Sequence, residues 1–128
     1  MNLGALKSLF FFLFISFSPP LFSQYIESKK AEIKILDKIT TKVETFEIDV
    51  NDSLNFNSLF IEIFACYKNP PEDIPENFVL LKIYDKIINS EDQAIYQGWM
   101  ISSSPSTTPL EHPIYDLWLV DCNINKAS

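Results

Sequence analysis

A chain of 128 residues with a net charge of −7, ten lysines and no arginine has room for one domain. Its acidic balance argues against nucleic acid or an anionic lipid surface as partner, because phosphate and guanine recognition lean on arginine and an acidic surface repels a polyanion. With two glycines and one histidine, the chain also lacks the parts for a phosphate-cradling glycine loop or a multi-histidine metal site, so neither a cofactor nor a metal is expected.

The first segment reads as an address. Lys7 supplies a short positive region, Leu9 to Phe17 (LFFFLFISF) an apolar one, Pro19-Pro20 a helix stop, and Ser23 a small residue before a cut. Residues 1–23 are therefore expected to be a secretory signal, exporting the chain through the Sec route to the periplasm or beyond. The apolar run is shorter than the roughly 20 residues of a spanning helix, so the chain is not expected to span a membrane once the signal is removed. An uncleaved anchor is the alternative. No cysteine follows the apolar run, which excludes a lipoprotein anchor.

Residues 24–30 are polar and read as a flexible arm. Ala31 to Ile35 alternates apolar with charged, the period of a half-buried strand. Phe46, Ile48 and Val50 repeat the pattern, and Asn51-Asp52-Ser53 signals a turn. Leu59 to Cys66 (LFIEIFAC) is apolar on both faces and reads as a central strand. Lys68 to Asn77 holds Pro70, Pro71 and Pro75 and should form an exposed, extended loop. Phe78 to Tyr84 is a strand, Asn89 to Gln93 a turn, and Ala94 to Ile101 and Ile114 to Cys122 complete the set. Thr108-Pro109-Leu110-Glu111 has the spacing of a capping box, and Pro113 ends it, predicting one short helical turn near 108–112. The expected fold is all-β: a small antiparallel sandwich or barrel of six or seven strands over residues 31–122, with 123–128 as a tail.

Two cysteines in an exported chain are expected to pair, so Cys66 and Cys122 form the predicted disulfide, in preference to a metal site or a Cys–His nucleophilic pair with His112. The spacing Cys66, Trp99, Cys122 fits an immunoglobulin domain poorly, because Val120 occupies the tyrosine-corner position.

Several longer motifs stand in order: Leu36-Asp37-Lys38-Ile39-Thr40; Cys66-Tyr67-Lys68-Asn69-Pro70-Pro71-Glu72 with Pro75-Glu76-Asn77; Gly98-Trp99-Met100 with Ser103-Ser104-Pro105; and Leu110 to Trp118 with Asp121-Cys122. On these the chain resembles a bacterial, mainly alphaproteobacterial family of exported proteins catalogued as domain of unknown function 2155, over about residues 31–122. It departs at Thr41, where the family often has a glycine. The resemblance implies a small exported protein and supplies no activity and no catalytic residues.

Among the candidate chemistries, His112 with Asp116 and Asp121 is the sharpest constellation, since a histidine oriented by a carboxylate acts as acid or base near neutral pH. No nucleophile or oxyanion donor accompanies it, and a structural role for His112 and Asp116 is the competing reading. Tyr67, Lys68, Pro70, Pro71 and Glu72 form a candidate docking loop, because a stiff proline segment loses little entropy on binding. Trp99 and Trp118 either line a small-ligand pocket or belong to the core. The leading expectation is a non-enzymatic envelope module that binds another envelope protein through its proline loop and adjacent strand edges. A periplasmic hydrolase or isomerase using His112 and Asp116, or a small-ligand carrier, is the alternative.

Overall fold

The computed structural model describes residues 24–88 and 93–124; the expected signal over 1–23 lies outside the described residues. Eight strands follow in chain order: β1 (Ile26–Glu27), β2 (Lys30–Asp37), β3 (Val43–Asp49), β4 (Ser53–Phe56), β5 (Leu59–Lys68), β6 (Asn77–Asp85), β7 (Tyr96–Ile101) and β8 (Tyr115–Asn123). One sheet runs β1-β5-β6-β7, with β4 also paired to β5; the other runs β3-β2-β8, and every pairing is antiparallel. The sheets are open, which makes the fold a small β-sandwich rather than a barrel.

The inner faces meet in one core. Ala31, Ile33 and Ile35 of β2, Leu59, Ile61 and Ile63 of β5, Val79, Leu81 and Ile83 of β6, and Leu117 and Leu119 of β8 are all buried. Each fully buried Ile or Leu contributes about 1.5–3 kcal/mol by leaving water. The period-2 pattern of the sequence is what sorts these side chains inward while Lys30, Glu32 and Lys34 face out.

Two bulges set the positions of the cysteines. The β5–β6 register shifts between Ile63 and Ala65, leaving Phe64 extra, and the β2–β8 register skips Val120. Strict alternation from Ile63 and Leu119 would point Cys66 and Cys122 outward; the extra residue just before each turns both inward. There they form a disulfide between β5 and β8, with Cα atoms 5.7 Å apart and both residues fully buried.

Four expectations need correction. The arm over 24–30 is not loose: Ile26 and Glu27 pair with Lys68 and Tyr67, Ser28 is buried, and Lys30 opens β2. The helical turn near 108–112 is absent. A turn at Pro105–Thr107 stands instead, closed by Thr107 N donating to Ser104 O at 3.1 Å, and the Thr108 hydroxyl caps nothing. Asn123 belongs to β8 rather than to a tail, facing Lys30. Finally, β1 and β4 raise the strand count to eight; at two and four residues they are too short to carry a readable period.

Candidate functional site

His112 lies in the segment that leaves β7 in one sheet and enters β8 in the other. Two turns of nearly the same sequence converge on it. Asp37-Lys38-Ile39-Thr40 ends β2 and Asp85-Lys86-Ile87-Ile88 ends β6. In each, the aspartate Oδ1 accepts from the backbone N–H groups two and three residues on: Ile39 and Thr40 at 2.8 and 3.2 Å, Ile87 and Ile88 at 2.8 and 3.2 Å. Lys38 Nζ donates to the His112 carbonyl at 2.9 Å, and the other oxygen of Asp85 lies 2.6 Å from His112 Nε2. His112 thus ties the end of a strand in each sheet to the crossing segment.

The ring is fully committed. Nδ1 accepts from Ile114 N at 3.0 Å and Tyr115 N at 3.1 Å, so the ring proton sits on Nε2 and is donated to Asp85. Burial alone would raise the Asp85 pKa. The hydrogen bonds from His112, Ile87 and Ile88 outweigh it and hold the carboxyl below its ordinary value. Geometrically this is a carboxylate–imidazole pair, but the nitrogen that a general base would present to a substrate is occupied by two backbone donors.

Asp116, the expected partner of His112, is elsewhere. It sits on the outer face of β8 and pairs with Lys38 at 3.1 Å, about half exposed. The Val120 bulge explains the misplacement: counting back from Cys122 by twos puts Asp116 on the inner face, whereas Tyr115, Leu117 and Leu119 occupy it. Asp85, the actual partner, ends a strand 27 residues away and gives no local signal.

The proline loop spans 69–76. Tyr67 and Lys68 belong to the end of β5, not to the loop, and Lys68 is engaged with Asp121 at 2.7 Å. Pro70 is half-buried, and Pro71 and Glu72 are exposed. The loop is braced internally: Asp73 N donates to Pro70 O at 3.0 Å, Asn69 N to Glu76 O at 3.0 Å, and Asn69 Nδ2 to Ile74 O at 2.9 Å. Glu76 anchors its end. One oxygen accepts from Asn77 N, Ser102 Oγ and Ser103 N at 3.0–3.1 Å, and the other accepts from Ser103 Oγ. Burial works against the Glu76 charge, but the bonds from Ser103, Ser102 and Asn77 prevail and lower its pKa. Asn77 Oδ1 then reaches Cys122 N at 3.1 Å, linking the loop to the disulfide. Sequence reading missed Glu76 as the anchor, because its partners lie across the fold.

Beside this loop the outer face of the five-stranded sheet is aromatic. Tyr67 lies against Trp99 with ring centroids 6.0 Å apart, and Tyr25 meets Phe78 edge-on at 5.7 Å. Trp99 is 44% exposed and Phe64 40%. Farther along the same face, Phe60 lies against Tyr84 at 6.1 Å. The run Leu59 to Cys66 is therefore apolar on both faces because one face is core and the other is this surface. The outer face of the other sheet instead alternates charges, with Lys30, Glu32 and Lys34 beside Glu47 and Asp49. Trp118 is on that side and Trp99 on this one, so the two tryptophans do not line a common pocket. Among the described residues no cluster of three or more histidine, cysteine or acidic side chains is arranged for a metal, and no helix is long and apolar enough to cross a membrane.

The family described as an uncharacterized protein conserved in bacteria, domain of unknown function 2155, matches residues 31–122. An uncharacterized protein of Rickettsia prowazekii (strain Madrid E) is 33% identical over 101 residues, covering 79% of this chain and 63% of that relative. The chain thus spans less than two thirds of the relative's length. No solved structure matches it.

Proposed function

The chain belongs to this uncharacterized bacterial family, domain of unknown function 2155, and from that premise we propose that it is an exported, non-enzymatic module of the cell envelope that binds another envelope protein. The docking surface is the braced proline loop together with Tyr67 and Trp99 on the adjoining sheet face.

One observation carries the reading: Trp99 and Tyr67 stand as a tilted, partly exposed aromatic pair beside a loop held rigid by its own hydrogen bonds. Rigid aromatic anchors next to a preorganised loop are the composition of protein-binding surfaces, because they bury area without much ordering cost. Glu72, Ile74 and Pro71 project from the loop into solvent. Export is supported by the amino-terminal pattern and by the Cys66–Cys122 disulfide, which suits an oxidising compartment. A hydrolase or isomerase reading loses its base, since both nitrogens of His112 are engaged.

The test is site-specific photo-crosslinking in living cells with the probe at Trp99, at Glu72, and at Thr45 on the opposite sheet as control. One shared protein adduct from 99 and 72, absent from 45, is the expected result. No adduct at 99 and 72, or the same adduct from 45, overturns the docking surface. Recovery of the chain in the cytoplasmic fraction overturns export.

A further inference from the structure

We propose that a depression at the far end of the aromatic face, over Phe60 and Tyr84, is a carbohydrate-binding site that takes an acetamido sugar unit of an oligosaccharide. This site is independent of the docking surface at Tyr67 and Trp99.

The depression has a volume of about 490 Å³ and is lined by Asn55, Phe60, Glu62, Tyr84 and Lys86, within the range of small-molecule sites. Strand register builds it. Asn55 of β4 faces Phe60 of β5, and Phe60 faces Tyr84 of β6, so one row across three strands presents an amide, a phenyl ring and a phenol. The two rings lie 6.1 Å apart at an interplanar angle of 41°, forming a shallow aromatic floor with Lys86 Nζ 6.0 Å over the Phe60 ring and Tyr84 beside it.

The rim is polar and oriented. Lys86 Nζ donates to Asn55 Oδ1 at 2.8 Å, which fixes the amide with its Nδ2 donors turned away from the lysine. Glu62 faces Ser53 and Lys82 in the next row and makes no ion pair among the described residues. Its carboxylate is an acceptor without a charged partner. The set is thus an aromatic floor with a donor amide, an ammonium, a phenol hydroxyl and an acceptor carboxylate around it.

That combination matches a pyranose, whose ring face is C–H and whose edge is hydroxyl. Such a ring stacks on an aromatic face and satisfies its edge at the rim. An acetamido group uses the rim most completely: its N–H donates to Glu62, its carbonyl accepts from Asn55 Nδ2, and its methyl packs on a ring. Other ligand classes fit less well. A phosphate meets the Glu62 carboxylate, an acyl chain leaves that carboxylate desolvated without a partner, and strand addition fails because β5 is paired on both sides here.

The test is a titration of the purified protein with chitohexaose, followed by amide shifts in nitrogen-resolved NMR, with cellohexaose in parallel. Saturable shifts centred on Asn55, Phe60, Glu62, Tyr84 and Lys86, stronger for chitohexaose, are expected. Tyr84→Ala should weaken binding by about tenfold or more, Glu62→Gln by several-fold, and Trp99→Ala not at all. Glu62→Gln leaves both rings in place, so it keeps the test decisive if Tyr84→Ala folds poorly. Absence of saturable shifts, shifts centred elsewhere, equal binding of cellohexaose, or full affinity in Glu62→Gln overturns the proposal.

Discussion

Asp85 and His112, 27 residues apart in sequence, meet at 2.6 Å with both side chains out of solvent. The pair closes a circuit. Asp85 fixes the turn after β6 through Ile87 and Ile88, while His112 fixes the entry to β8 through Ile114 and Tyr115. The lone histidine therefore clasps the two sheets together.

Removing either half strands the other in the interior. His112→Ala and Asp85→Asn are each expected to lower stability by about 3–5 kcal/mol, the usual cost of breaking a buried, charge-assisted pair. Asp116→Ala, which removes only the half-exposed bridge to Lys38, should cost about 0–1 kcal/mol. Urea denaturation of the three variants checks this. Equal, small losses for all three would refute the clasp.

Acid should open the fold through specific carboxylates. Asp85 and Glu76 both have pKa values lowered from their ordinary 3.8 and 4.5. In the window between those ordinary values and the lower folded ones, the unfolded chain binds more protons. Stability from both groups is thus complete above about pH 5 and falls as pH drops through the window. Glu76→Gln should be less stable than the parent at pH 7, and the gap should narrow by pH 3. Denaturation at the two pH values reads it directly; a gap that widens in acid contradicts the assignment.

The sandwich was legible because both sheets follow a two-residue period, and the disulfide because two cysteines in a chain expected to be exported leave one simple pairing. What misled was phase. Each bulge, at Phe64 and Val120, turns a strand by one residue, so a count back from Cys122 carries Asp116 onto the wrong face. The true partner of His112 was hidden because a single aspartate at a strand end resembles any turn residue. The matching turns at Asp37 and Asp85 were readable as Asp-Lys-Ile repeats, yet four residues set no period. β4 supplies Asn55 to the row with Phe60 and Tyr84, and at four residues it is too short to announce itself.

The disulfide should be a major part of the stability. It closes a span of 56 residues between the two sheets, for which the chain-entropy model gives about 4 kcal/mol. A Cys66→Ala/Cys122→Ala double variant is expected to lose about 2–5 kcal/mol, toward the top of that range. Both sulfurs are buried, so dithiothreitol should reduce the bond in the native protein only as fast as the fold opens. Reduction at the rate seen in denaturant would show that the bridge is accessible and the burial wrong.

The turn between β2 and β3 holds a residue that the fold does not suit. Thr41 has φ 59°, a left-handed conformation that a β-branched side chain adopts at a cost of about 1–3 kcal/mol. It is exposed, and its hydroxyl bonds only to the neighbouring Thr40 carbonyl, so little packing compensates. Glycine relieves the strain but enlarges the freedom of the unfolded chain by about 0.5–1 kcal/mol. The net expectation for Thr41→Gly is a gain of about 0.5–1 kcal/mol, raising Tm by about 2–8 °C for a domain of this size. Thr41→Val keeps the branch and loses the hydroxyl, so it should give no gain. Thermal unfolding of the pair separates conformation from side-chain bonding: a lower Tm for Thr41→Gly would mean that the Thr41 hydroxyl, not the backbone, governs the turn.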